Sequence, residues 1–189
     1  MASNVIELNP VTHITAGYTG VPGARTFYLQ MRKGSTMISL LMEKEQVAAL
    51  AQSVLQLIEH LDQNFPSVST APLPRNMALE HPINPLFRVG QMGLGYDQER
   101  DLLVLVAQEV PTAEEDEEEA GDEEPAGEDE TGGVVRVWAS RGQMEAMARH
   151  AAEVVKQGRP ICPLCGQPIN AEGHFCPPRN GYRPKLSAE

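Results

Sequence analysis

Four residues near the C-terminus have the types and spacing of a metal site: Cys162, Cys165, His174 and Cys176, arranged C-x2-C-x8-H-x-C. All three cysteines of the 189-residue chain fall within these fifteen positions, with one of its five histidines. Thiolates and a neutral imidazole so closely spaced match the demand of a tetrahedral zinc ion. Pro163-Leu164-Cys165-Gly166 reads as a zinc knuckle, in which the glycine after the second cysteine lets backbone amides turn toward the sulfurs. A site with four protein ligands is closed, so its Zn2+ would be structural, with no open position to activate water. The second pair, His174-x-Cys176, is too short for a second knuckle, and His150 on the preceding helix is the alternative fourth ligand.

No other cluster of reactive residues stands out. There is no G-x-S-x-G elbow, the cysteines are taken by the metal, and His13, His60 and His81 are isolated. Catalytic residues are therefore not assigned. Gly17, Gly20 and Gly23 are echoed by Gly90, Gly93 and Gly95, but no Lys-Ser/Thr follows and the run lies between strands. Bends or bulges in two opening strands account for them. The sharper alternative is a ligand approaching the backbone at Gly17, Gly20, Gly90 and Gly93, with Arg25, Arg88 and Arg100 nearby. Tyr18, Tyr28 and Trp138 are candidate stacking platforms for single-stranded nucleic acid. Lys156, Arg159, Arg179, Arg183 and Lys185 form a basic cluster around the metal residues.

The elements that must position these residues repeat. Val47, Leu50, Ala51, Val54 and Ile58 lie on one helical face, and Met144, Met147, Ala148, Ala151 and Val155 reproduce it at an offset of about 97 residues. Gln46 and Gln143 correspond, and Ser140 with Gln143 makes a capping box where Glu43 stands in the first helix. Strands precede each helix: 13–18, 26–32 and 36–41 in the first half, 87–92, 102–107 and 134–138 in the second. The continuously apolar 102–107 reads as a strand covered on both faces. The expected fold is α+β, two pseudo-symmetric βββα repeats sharing a core, followed by a small zinc knuckle. Its segments are 1–64, a Pro-rich linker 65–85, 86–158 and a zinc-binding tail 159–189. Packing the two units buries a sheet face and a helix stripe that each alone would expose, and a pseudo-twofold body does this most economically.

The net charge of −11 is a local property. Twelve acidic residues and no basic one lie between positions 111 and 133, and without them fourteen acids face fifteen bases. Such a run cannot bury itself and is expected to be a disordered insertion at the tip of the second hairpin. It would also repel nucleic acid. No apolar run is long enough for a membrane span, and residues 1–11 lack the pattern of a secretion signal. Three clustered thiols suit a reducing cytoplasm.

Ala24-Arg25-Thr26-Phe27-Tyr28-Leu29-Gln30, Glu43-Lys44-Glu45-Gln46, Cys162-Pro163-Leu164-Cys165-Gly166 and His174-Phe175-Cys176-Pro177 together resemble an uncharacterised bacterial family. Its members are repeat proteins of unknown function with this terminal Cys/His cluster, and the resemblance covers the chain apart from the acidic insertion. It implies the zinc ligands and no activity. The expected function is a non-catalytic binding or adaptor protein with a protein partner. The alternatives are a single-stranded nucleic-acid-binding protein and an enzyme acting on a phosphorylated small molecule.

Overall fold

The computed structural model describes residues 5–66, 76–111, 132–158, 161–167, 169 and 173–178. The acidic run 112–131, linker residues 67–75, and Arg159, Arg179, Arg183 and Lys185 of the basic cluster lie outside them. The elements follow in the order β1 (Val5–Leu8), β2 (His13–Val21), β3 (Ala24–Lys33), β4 (Thr36–Met42), α1 (Lys44–Asn64), β5 (Pro85–Asp97), β6 (Leu102–Glu109), β7 (Val134–Ser140) and α2 (Arg141–Lys156). The fold is α+β, with all seven strands in one sheet of order β1-β7-β6-β5-β4-β3-β2. β2-β3-β4 and β5-β6-β7 are antiparallel meanders, joined side by side through parallel β4 and β5.

Alternation along the strands puts the apolar set on one face. Phe27, Leu29 and Met31 pair with Met42, Leu40 and Ile38, and Leu103, Leu105 and Ala107 pair with Ala139, Val137 and Val135. All are buried. Onto that face pack Val47, Leu50, Ala51, Val54, Ile58 and Leu61 of α1 and Met144, Met147, Ala148, Ala151 and Val154 of α2. Val154 takes the last buried place on α2 where Val155 was expected, and Val155 is only partly buried. β6 also differs from expectation. Its outward residues Val104 and Val106 are half-exposed, so it is covered fully on one face only.

The sheet curls until its ends meet. The Val11 amide donates to the Trp138 carbonyl on β7 at 2.8 Å, while the next amide, Thr12, donates to the Arg32 carbonyl on β3 at 2.7 Å. Strands spaced about 4.8 Å apart would hold β7 and β3 about 19 Å apart in a flat sheet, yet consecutive residues bridge them. The two helices cover the face that carries the apolar set. β1, which the sequence reading did not assign, supplies the closing edge by pairing parallel to β7 from Val5↔Val134 to Leu8↔Val137.

Both helices are seated by the same device. Gln46 accepts from the Glu43 amide through Oε1 at 2.9 Å and donates through Nε2 to the Val89 and Gly90 carbonyls at 2.9 and 3.1 Å. Gln143 accepts from the Ser140 amide at 3.0 Å and donates to the Val11 and Thr12 carbonyls at 3.2 and 3.3 Å. Each glutamine thus closes a capping box and ties its helix start to an opening-strand backbone. On the face opposite the apolar set, residues 76–80 cover polar groups that one-sided burial would strand. Thr15 Oγ1 donates to the Met77 carbonyl at 2.6 Å, and buried Gln30 exchanges bonds with the amide and carbonyl of Glu80 at 2.7 and 3.0 Å.

Candidate metal centre

After α2 ends at Lys156 the described residues around the cysteines form no helix or strand, so short-range turn chemistry sets the geometry there. Pro163-Leu164-Cys165 is a turn closed by the Gly166 amide donating to the Cys162 carbonyl at 2.9 Å. Gly166 has φ +70°, a left-handed value where a side chain would be strained, which explains a glycine immediately after the second cysteine. The Cys162 amide donates in return to the Gln167 carbonyl at 2.8 Å and ties the turn shut. The amides of Leu164 and then Cys165 donate to the Cys162 sulfur and draw its pKa down to about 6, outweighing burial, which acts in the opposite direction. This is the inward turning of amides expected of a knuckle, and it favours the thiolate that a metal requires.

His174 and Cys176 close the group from the other side. One ligand atom from each of Cys162, Cys165, His174 and Cys176 lies within 4.8 Å of every other. The Cys162 and Cys176 sulfurs are 3.8 Å apart, matching the edge of about 3.8 Å for a tetrahedron with zinc–sulfur bonds of about 2.3 Å. Cys165 Sγ and His174 Nε2 are 3.1 Å apart, so Nε2 is the imidazole nitrogen facing the Cys165 sulfur. Cys162 and Cys176 are buried, with Cys165 and His174 at the rim. The donor set fits a closed Cys3His site. His150, the alternative ligand, lies elsewhere. It lines a cavity of about 320 Å³ with Gly17, Tyr18, His81 and Gln157, and burial lowers its pKa.

The glycines singled out as a ligand site are not gathered into one place. Gly17 and Gly20 are on β2, whereas Gly90 and Gly93 are on β5, with β3 and β4 between. Three of the four have a local reason. A Cβ on Gly17 would fall 2.6 Å from Leu79 Cγ, and one on Gly20, at φ +89°, 2.3 Å from the Ala24 carbonyl oxygen. Gly90 sits in the β5 register shift between Val89 and Met92, where a Cβ would come within 3.1 Å of Val110 Cα, while the site of Gly93 is open. Arg25 does line a cavity, with Arg88. The aromatic candidates also part company. Tyr18 pairs with Phe27 and packs against the core, Tyr28 pairs with Leu41 on the opposite face, and Trp138 lies on β7. Of the basic cluster, Lys156 is described, and it pairs with Glu153 at 3.0 Å.

Two groups escaped the sequence reading. Arg141, the first residue of α2, is 5% exposed and donates to Asp101 at 2.7 Å, Asp62 at 3.0 Å and the Tyr96 hydroxyl at 2.8 Å. Burial opposes its charge, but the bonds to Tyr96, Asp101 and Asp62 prevail and hold its pKa above the usual arginine value. The second is Lys44, which joins Arg25 and Arg88, both singled out in the sequence, on one recess. Among the described residues no helix is long and apolar enough to cross a membrane. No curated protein and no solved structure matches the chain. A family model does match, over residues 6–176, which include the four metal-ligand candidates, and the chain belongs to that family, described as "Protein of unknown function (DUF3090)".

Proposed function

We propose that the chain is a non-catalytic binding or adaptor protein of a reducing cytoplasm, built from two βββα units and stapled by one structural zinc. The observation that carries the reading is the convergence of Cys162, Cys165, His174 and Cys176 within 4.8 Å. Three thiolates and one imidazole favour zinc over harder ions, and four protein donors leave no place for a substrate or activated water. The ion would fold a segment with little apolar core of its own. Ile161, Leu164 and Phe175 expose 60%, 61% and 74% of their surface beside the ligands, which supports a partner protein as the binding target.

Internal duplication is supported by the paired docking of Gln46 on Val89 and Gly90 and of Gln143 on Val11 and Thr12. In a curled sheet whose ends meet, the order β2 to β7 is what a half-turn about the sheet's own axis would generate. The reading predicts one zinc per chain in the purified protein, by elemental analysis. It also predicts that Leu164→Ser with Phe175→Ser weakens capture of the partner without loss of metal. A metal-free protein that retains the tail fold would contradict the staple, and turnover of a substrate by the purified chain would contradict the binding role.

A further inference from the structure

A second site is built where β3 begins and α1 starts. A cavity of about 520 Å³ is lined by Arg25, Lys44 and Arg88, with Phe27, Leu41 and Glu43 among its other walls. Glu43 already pairs with Arg88 at 2.8 Å. The Arg25 guanidinium lies 4.1 Å from the centre of the Tyr18 ring, and its Nε is buried with no hydrogen-bond partner among the described residues. Such a donor costs stability unless something accepts from it. The first-turn amides of α1 start at the same wall, and by helix geometry the earliest have no intrahelical acceptor.

The corresponding position at the start of α2 shows what the recess lacks. Phe27 pairs with Met42 just before Glu43, and Leu103 pairs with Ala139 just before Ser140. Arg25 and Asp101 each stand two residues before those strand positions, and Lys44 and Arg141 each open a helix. At α2 the two positions are an acid and a base, bonded at 2.7 Å and reinforced by Asp62 at 3.0 Å. At α1 both are cations on one open cavity. Positions matched in register thus carry an ion pair at α2 and two cations at α1, where the one lining carboxylate, Glu43, is already engaged by Arg88.

We propose that this recess binds the dianionic head of a phosphate-bearing small molecule. Arginine offers a fork of donors, lysine a point charge, and the helix start backbone amides, which together suit phosphate oxygens. A carboxylate has too few acceptors for such a set. The recess is walled by the sheet, the start of α1 and Gly158, and none of the four metal-ligand candidates lines it, so the proposal stands independently of the metal reading.

The test is an amide-resolved NMR titration of the full chain with inorganic pyrophosphate at a fixed ionic strength of about 0.15 M. Saturable shifts are expected at Arg25, Lys44, Glu45 and Gln46, with Kd on the order of 1 mM or below. Arg25→Gln and Lys44→Gln should each raise Kd about tenfold, the effect of losing one charged contact, while Lys156→Gln leaves it unchanged. The same spectra report whether each variant is folded, and Arg88→Gln replaces any that is not. Absence of saturable shifts, or unchanged Kd in the folded variants, would overturn the proposal. So would tighter binding of a single-stranded oligonucleotide than of pyrophosphate through the same residues, which would make the recess part of a nucleic-acid surface.

Discussion

Replacing Arg141 with methionine should cost about 2–3 kcal/mol. The guanidinium is 5% exposed and joins three parts of the molecule: Asp62 near the end of α1, Asp101 before β6, and Tyr96 on β5. Removing one partner of a buried ion pair costs about 3–5 kcal/mol, because the other charge keeps its desolvation without its compensation. Here the acids sit nearer water, with side chains 60% and 35% exposed for Asp62 and Asp101, so rehydration returns part of the loss. Methionine preserves most of the packed volume, leaving the polar loss as the main effect. For a chain of this size the melting temperature should fall by about 5–10 °C, at roughly 2–4 °C per kcal/mol. Urea unfolding of Arg141→Met, Asp101→Asn and the double variant gives the coupling, expected to exceed about 1 kcal/mol. Arg141→Lys should recover little, because one ammonium cannot reproduce a fork reaching three partners. A loss below about 1 kcal/mol, or full rescue by lysine, would refute the reasoning.

Three further outcomes follow from the geometry. Cys165→Ser should release the metal and increase proteolytic cleavage after Gly158 while leaving the far-UV dichroism of the sheet and helices unchanged, because no described residue of the tail belongs to the main core cluster. Replacing residues 112–131 by a short Gly-containing turn should leave the melting temperature unchanged or slightly raised. The flanks already meet, since the Glu109 amide donates to the Gly133 carbonyl and the Gly133 amide to Glu109 Oε2, both at 2.9 Å, and shortening a loop lowers its closure entropy. Burial lowers the pKa of His13 and of His150, with Glu80 opposing the shift at His13. The unfolded chain therefore binds more protons as pH falls below about 6.5, so stability should be full near neutrality and decline in acid until the folded histidines also protonate. Urea unfolding of wild type and His150→Gln at several pH values should show a shallower acid slope in the variant.

Much of the architecture was legible because it rests on periodicity. Alternation in 26–32 and the 3.6-residue spacing in 47–58 and 144–151 report one buried face each, and in the structure the apolar residues of those faces form the core. Val155 was misplaced by one position, since residues 154 and 155 both fall near the edge of the stripe. β1 was missed because a four-residue strand carries too little pattern, and its partner β7 lies some 130 positions away. Curling of the sheet was equally hidden, as it is expressed in the bonds of Val11 and Thr12 to β7 and β3. The metal candidates were readable from spacing, since knuckle chemistry is local. The Arg141 pairings were not, because residues 62, 96, 101 and 141 meet only through the fold; of the recess, Arg25 and Arg88 were singled out beside the glycines, but Lys44 was not.

The central claim, a closed zinc site of three thiolates and one imidazole, is tested most directly by cobalt substitution of the purified full chain. Titration with Co2+ should end at one equivalent, with the intense visible d–d bands of tetrahedral coordination and thiolate-to-metal charge transfer, both of which should fail to develop at that equivalent in each single Cys→Ser variant. Zinc should displace the cobalt and bleach both. Weak octahedral spectra, a stoichiometry other than one, or a spectrum unchanged in Cys176→Ser would contradict the account.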